Sequence, residues 1–447
     1  MASAGRPIGR DVPIQKNTNK NTNKTTAPAA ADRPNAPFHW GWMLFAVTVF
    51  QLFSFFPVAF AGGKMQEMTT LVFGVYIFAE WMYLLLMQAV THRDDFQLEV
   101  LAFFLSGIGL TICASIHENY ALKQLIAIAL GLVSFTVLTV FIRSTERAMF
   151  MRMPLAVAAI ALLIANLLLA KVTNGALNWI TIGGFSFQPS ELVKAAFIFV
   201  GAATLESLQT TRSLTKYIVF SVACVGALFI MRDFGTALIF FFTFIIIAFM
   251  RSGDFRTLVL ICAAALMGAL LIIYFKPYVA NRFATYRHVW DYINDKGFQQ
   301  TRVLIYSSSG GLLGLGIGNG KLRTVFAAST DLVFGMVCEE WGLLLGILIL
   351  LVFAFVAFYA VRGARRSSST FYSIAAVSAA GMLLFQLALN VFGVTDLLPM
   401  TGVTLPFISR GGTSIICAWS LFAFVKSVSF NIGDTKPYRG RKGAARK

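Results

Sequence analysis

Histidine is scarce in this chain. There are four in 447 residues, too scattered to supply a zinc motif. Cysteine is hardly commoner: Cys113, Cys224, Cys262, Cys338 and Cys417 each lie inside an apolar run without clustered spacing. That excludes a disulfide framework or a cysteine metal site and leaves small packing residues. Acids are outnumbered, with 20 Asp and Glu against 37 Lys and Arg, a formal net charge of +17. Charged residues of both signs make up 13% of the chain, whereas hydrophobic residues make up 57% and the mean hydropathy is +0.73. A soluble domain of this length does not have that composition. The positive balance therefore reads as basic ends facing anionic lipid, not as a nucleic-acid footprint.

What the chain does have is apolar runs long enough to span a bilayer, repeating from Trp40 to Ile432. The pattern predicts an all-α polytopic membrane protein of about twelve spans. They fall near 40–61, 69–91, 98–117, 121–142, 150–170, 191–208, 216–231, 234–250, 255–275, 331–361, 371–392 and 411–431. Residues 1–37 are a polar, basic tail without the apolar core of a secretory signal, and 433–447 form a second basic tail. With both tails in the cytoplasm, every inner connection is basic: His92-Arg93, Arg143 with Arg147 and Arg152, Arg212 with Lys216, Arg251 with Arg256, and Arg362 with Arg365-Arg366. Segments 171–190, 276–330 and 393–410 then lie outside.

The outer segments carry the polar motifs. Gln188-Pro189-Ser190 starts a helix, and Glu191 and Lys194 three residues apart share its face, as a structural clip or as substrate contacts. Trp179 just before is an interfacial anchor or a groove wall. Asp233 with Thr236 reads as an N-cap, or as an added polar group in an outer cavity. The long loop holds Arg282, Arg287, Gln299 and the glycines 310–316, and a loop of that length is usually functional. The segment 398–414 contains Pro399, Pro406 and Gly411-Gly412, so it is not a simple helix. The helix starting there exposes N–H groups beside Ser409, Arg410 and Ser414. Asp331 stands where the loop enters the next apolar run. In a continuous helix Glu339 lies roughly 80° round and roughly 12 Å deeper, and Glu340 points nearly opposite. Carboxylates at such places usually face a polar cavity.

Taken in order, these blocks resemble the SEDS family (shape, elongation, division and sporulation). The match runs through Trp179-Ile180, Gln188-Pro189-Ser190-Glu191 and Lys194, then Asp233-Phe234-Gly235-Thr236, then Ser309-Gly310-Gly311. It continues with Thr330-Asp331 and Glu339-Glu340-Trp341-Gly342, and ends with Leu398-Pro399-Met400-Thr401-Gly402 through Ser409-Arg410-Gly411-Gly412-Thr413-Ser414. It covers about 97–432, leaving 38–96 as two additional N-terminal spans. The chain departs from the pattern at Ala327-Ala328-Ser329, at Gly314-Leu315-Gly316, where a lysine is lost and Lys321 or Arg323 is the nearby replacement, and at Arg410.

The resemblance implies a peptidoglycan glycosyltransferase that polymerises lipid II on the outer face of the cytoplasmic membrane beside a class B penicillin-binding transpeptidase. It places the essential aspartate at Asp331. That aspartate is either a general base or a ligand for a divalent cation, magnesium or manganese, and no organic cofactor is expected. Candidate substrate contacts are Trp179, Gln188, Ser190, Glu191, Lys194, Asp233, Thr236, Arg282, Gln299, Ser409, Arg410, Gly411, Gly412 and Ser414. A lipid II flippase and a non-catalytic scaffold for a cell-wall complex are the alternatives.

Overall fold

In membrane an apolar run closes its own backbone hydrogen bonds by coiling, and the chain does so repeatedly. A computed structural model describes residues 39–60, 63–173, 176–182, 185–206, 211–253 and 285–430, with a few positions between 255 and 263. Both tails, Arg282 and most of the expected span 255–275 lie outside the described residues. Helices α1 (Trp40–Ala59), α2 (Glu67–Thr91), α3 (Gln97–Ile116), α4 (Glu118–Phe141) and α5 (Thr145–Leu169) come first. After a small sheet follow α6 (Pro189–Glu206), α7 (Thr211–Ile230) and α8 (Phe234–Ser252). The long loop then contributes α9 (Phe298–Ser309) and α10 (Val333–Glu340). Helices α11 (Leu343–Ala364), α12 (Thr370–Val394) and α13 (Gly412–Ser427) end the described chain. Among the described residues eight helices are long and apolar enough to cross a membrane, α1–α5, α8, α11 and α12, with shorter apolar helices at 215–230 and α13. The protein is thus a multi-pass, mainly helical membrane protein.

The segment 171–190 adds a feature that hydropathy did not show. Strands β1 (Lys171–Thr173), β2 (Ala176–Ile182) and β3 (Phe185–Phe187) form an antiparallel meander in the order β1-β2-β3. Trp179 pairs with Lys171, and Ile180 with Phe187. The Leu177 N–H donates to Met231 O at 3.0 Å, which ties the meander to the end of α7.

Helices α3, α12 and α13 are buried nearly all round and form the centre, whereas α1, α2, α4 and α5 turn Phe, Leu and Val outward. Trp419 of α13 is the central aromatic, with Phe103, Phe135 and Phe407 packed around it at ring separations of 5.1, 5.8 and 5.8 Å. A Cβ on Gly131 of α4 would fall 2.7 Å from the Trp419 ring, so the glycine allows that close approach. At the opposite end from the meander, Lys426 pairs with Glu99 at 3.1 Å and Asp95 at 3.4 Å.

One expectation needs correction. The run 331–361 is not one helix: α10 ends at Glu340, and the chain turns through Gly342 at φ +83° before α11. Glu339 and Glu340 both lie inside α10, but Asp331 precedes that helix, so helical geometry does not set its side chain relative to theirs. The break accommodates the glycine loop. Leu315 N and Gly316 N donate to the Glu339 and Glu340 carbonyls, and Leu343 N and Leu344 N donate to Gly311 O and Leu312 O.

Candidate active site

Asp331 sits at the close of a tight run of turns. The N–H groups of Thr330 and Asp331 donate to Ala327 O at 3.1 and 3.0 Å, with Ala327 itself at φ +62°. The N-cap position of α10 is Leu332, so Asp331 stands outside the helix rather than serving as its cap. Residues 329–331 are stitched to the segment 403–410. The Ser409 hydroxyl donates to Thr330 O at 2.5 Å and accepts from Leu405 N at 2.8 Å, and Arg410 N donates to Ser329 O at 2.7 Å. Asn390 of α12 joins the two, its Nδ2 donating to Asp331 O at 2.9 Å and Val403 O at 2.7 Å.

The Asp331 side chain lines a cavity of about 490 Å3. Its other walls include Lys296, Gln299, Gln300, Tyr286, Asp396, Pro399, Met400 and Gly402. Gly402, at φ +73°, would bring a Cβ to 3.5 Å from Asp331 Oδ2, so its backbone lies against the carboxylate. The far wall is held to α12: Gln300 Nε2 donates to Gly393 O at 2.8 Å, and the Tyr286 hydroxyl donates to Leu397 O at 2.7 Å. Gln299 Nε2 donates to Phe326 O at 3.2 Å. Burial pushes the Asp396 carboxyl above its usual range, opposed in part by a hydrogen bond from the Arg287 backbone and by the Arg287 charge.

The other motifs reach this site through the segment 398–414. Asp233 caps α8, accepting from Thr236 N at 3.2 Å, and also accepts from Gln188 Nε2 at 3.0 Å and Asn178 Nδ2 at 3.5 Å. A Cβ on Gly235 would fall 2.6 Å from Val403 and 3.0 Å from Thr401 O. The start of α8 therefore presses on the same stretch that backs Asp331. Gln188 N donates to the Thr413 hydroxyl at 3.3 Å. Lys194 is buried and donates to Glu191 at 2.7 Å and Gln386 Oε1 at 3.1 Å. Gln386 Nε2 donates onward to Thr404 O at 2.9 Å, and the Thr404 and Ser414 hydroxyls lie 2.8 Å apart.

Of the residues the sequence singled out, Asp331 and Gln299 line the cavity. Glu191, Lys194, Gln188, Asp233, Thr236, Ser409 and Ser414 form the framework behind it. Ser190 is fully buried, and Trp179 sits half-buried on β2. Gly411 and Gly412 start α13, and the Arg410 guanidinium lies over the Tyr120 ring at 4.1 Å, away from the cavity lining. Neither Lys321 nor Arg323 lines the cavity, and Arg323 donates to Ser115 O at 3.4 Å. Glu339 and Glu340 do not face it either. Glu339 accepts from Lys321 N at 2.7 Å and Leu322 N at 2.9 Å, and Glu340 accepts from Gly318 N at 3.0 Å. The two carboxylates fix the glycine loop that delivers Asp331. Sequence reasoning missed Lys296, Asp396 and Asn390. Lys296 was legible as the cation beside Gly297 and Gln299, whereas Asn390 is one polar residue in an apolar helix.

These helices, with an acid-bearing cavity at one end, define a polytopic membrane protein. The chain belongs to the FtsW, RodA and SpoVE family of cell cycle proteins, whose family model matches residues 101–432. This is the family to which the motif blocks pointed. Stage V sporulation protein E of Bacillus subtilis (strain 168) is 32% identical over 251 residues, covering 55% of this chain and 69% of the relative. Peptidoglycan glycosyltransferase RodA of Mycobacterium tuberculosis (strain ATCC 25618 / H37Rv) is 27% identical, covering 78% of this chain and 80% of the relative. The Thermus thermophilus rod shape determining protein RodA superposes with a TM-score of 0.55 at 25% identity, covering 74% of this chain and 95% of that one. A chain in a solved peptidoglycan synthase complex shares the fold with a TM-score of 0.65 at 24% identity, covering 76% and 99%.

Proposed function

We propose that this protein is a peptidoglycan glycosyltransferase that polymerises lipid II, the undecaprenyl-diphosphate-linked disaccharide-peptide, with Asp331 as its essential carboxylate. The observation that carries the reading is the placement of Asp331 in a cavity that Lys296, Gln299, Pro399, Met400 and Gly402 also line. The positive-inside distribution supports an orientation with that end of the bundle at the outer face of the cytoplasmic membrane and both termini in the cytoplasm. Relatives carrying the glycosyltransferase name support the activity.

The reaction joins a sugar 4-hydroxyl to an anomeric carbon. The hydroxyl oxygen attacks, the bond from the anomeric carbon to the diphosphate oxygen breaks, and the lipid diphosphate leaves with the electron pair. Asp331 takes the hydroxyl proton, and a group of this kind supplies about 10²–10⁴-fold in rate. Lys296 presents positive charge to the departing diphosphate. The backbone at Gly402 lies against the carboxylate, and Gln299 braces the cavity wall through Phe326 O. Asp331 and Asp396 share the cavity, which suits a magnesium or manganese ion held by one or two carboxylates with the rest of its shell from substrate phosphate and water. Such an ion would neutralise the leaving diphosphate. Likeness to a chain of a peptidoglycan synthase complex supports a class B penicillin-binding transpeptidase as partner.

The test is purified wild type and Asp331→Asn, each with and without the transpeptidase, given lipid II and a divalent cation with transpeptidation blocked. Glycan polymer from the wild type, and its loss by at least about 10²-fold in the variant at unchanged melting temperature, is the expected outcome. Equal polymer from both would remove Asp331 from the chemistry.

A further inference from the structure

We infer that a cleft between α5, α6 and α7 binds an anionic phospholipid of the surrounding membrane, at the end of the bundle opposite the Asp331 cavity. The cleft is separate from the proposed polymerase site and larger, about 770 Å3. Each helix contributes one stripe to it. Helix α5 gives Arg152, Ala156 and Ile160, spaced four residues apart on one face. Helix α6 gives Val200 and Thr204, and α7 gives Lys216, Val219, Phe220 and Ala223.

The polar groups gather at one end. Arg152 and Lys216 lie in the early turns of α5 and α7, and Thr204 lies in the last turn of α6, so all three belong to the basic end of the bundle. Deeper in, the walls are aliphatic and aromatic. From Arg152 to Ile160 the cleft runs about 12 Å along α5. That approaches half of a hydrocarbon core about 30 Å thick, the reach of acyl chains from one leaflet. Among the described residues that line it the charged side chains are Arg152 and Lys216, both cationic. Basic pockets between helices on the cytoplasmic side recognise anionic head groups through charge while the chains fill apolar grooves. Two cations above an apolar cleft one leaflet deep match a phosphodiester head with two acyl tails. A zwitterionic head shares the phosphodiester but brings an ammonium toward the same two cations, which weakens its hold.

The test uses the full-length protein in detergent with an equimolar mixture of phosphatidylglycerol and phosphatidylcholine of identical acyl chains, read by native mass spectrometry. Wild type should retain phosphatidylglycerol over phosphatidylcholine by about 25-fold, since each of the two surface cations contributes about fivefold. Arg152→Gln with Lys216→Gln should bring the ratio close to one, and each single change should lower it part of the way. Ala156→Phe, which fills the cleft but keeps both cations, should lose both lipids. Melting temperatures establish that each variant is folded, and the single changes carry the test if the pair is not. Equal retention of the two lipids by wild type would overturn the inference. So would a preference that survives the double change, or lipid held undiminished by Ala156→Phe. Displacement of the lipid by millimolar inorganic phosphate would show a phosphate site without a seat for the chains and would also overturn it. Polymerisation of lipid II is not part of the readout, so this result stands apart from the fate of the glycosyltransferase reading.

Discussion

At the scale of single residues, two aspartates share one cavity in different circumstances. Asp331 is held through its own backbone carbonyl by Asn390 and through its neighbours by Ser409 and Arg410. Its position is therefore set by contacts that a change to Asn leaves in place. Asp396 adopts φ +58°, a left-handed conformation that Asp tolerates better than most residues, and burial raises its pKa. The native state then holds the Asp396 proton at a higher pH than the unfolded chain does. This favours folding at low pH, and the increment is lost as pH rises through the raised value. Asp396→Asn is neutral throughout, so its melting temperature relative to wild type should be higher at pH 7 than at pH 4. Thermal unfolding in detergent at the two pH values checks this, and an unchanged difference would place Asp396 in an ordinary solvated setting.

At the scale of elements, the break between α10 and α11 organises the loop. Gly342 and Gly318 have φ of +83° and +79°, but their surroundings differ. A Cβ on Gly342 would fall 2.2 Å from Leu312 O, whereas one on Gly318 meets nothing within 4 Å. Gly318→Ala should cost about 1–2 kcal/mol from backbone conformation alone. Gly342→Ala should cost more, about 3 kcal/mol or above, because a backbone carbonyl has to move as well. It should also lower polymerisation, since the loop that carries Asp331 is anchored there. Melting temperature and polymer yield of the two variants side by side check the contrast.

At the scale of the whole molecule, the segment 398–414 is where the helices meet. The start of α8 lies against it through Gly235, and a Cβ on Gly109 of α3 would fall 2.5 Å from Ile408 O. Helix α6 reaches it along the path from Glu191 and Lys194 through Gln386 to Thr404. A buried pair of this kind is costly to break on one side, because the remaining charge is left without its partner. Lys194→Met should lower stability by about 3–5 kcal/mol. Lys194→Met combined with Glu191→Leu should recover much of that loss, because no buried charge remains. Comparing the melting temperatures of the single and double variants checks it. A double variant no better than the single would mean that the path to Gln386, and not the charge balance, holds α6 in place.

The sequence by itself determined the class and the chemistry-bearing residue. Long apolar runs with basic ends leave a chain few choices but membrane helices, and motif order identified the family and singled out Asp331. Local signals also sufficed for the Asp233 cap, whose bond spans three residues, and for the pairing of Glu191 with Lys194 on one helical face. Only the tertiary structure decided which polar residues face the cavity. The path from Lys194 to Ser414 and the contact of both Gly235 and Asp331 with the stretch 401–403 join positions far apart in the chain, and no local period records such contacts. The same holds for Glu339 and Glu340. Their carboxylates are spent on backbone N–H groups of a loop some twenty residues earlier. Helix α10 does carry them, but it begins after Asp331 and ends directly after Glu340, at the turn through Gly342 where the glycine loop packs.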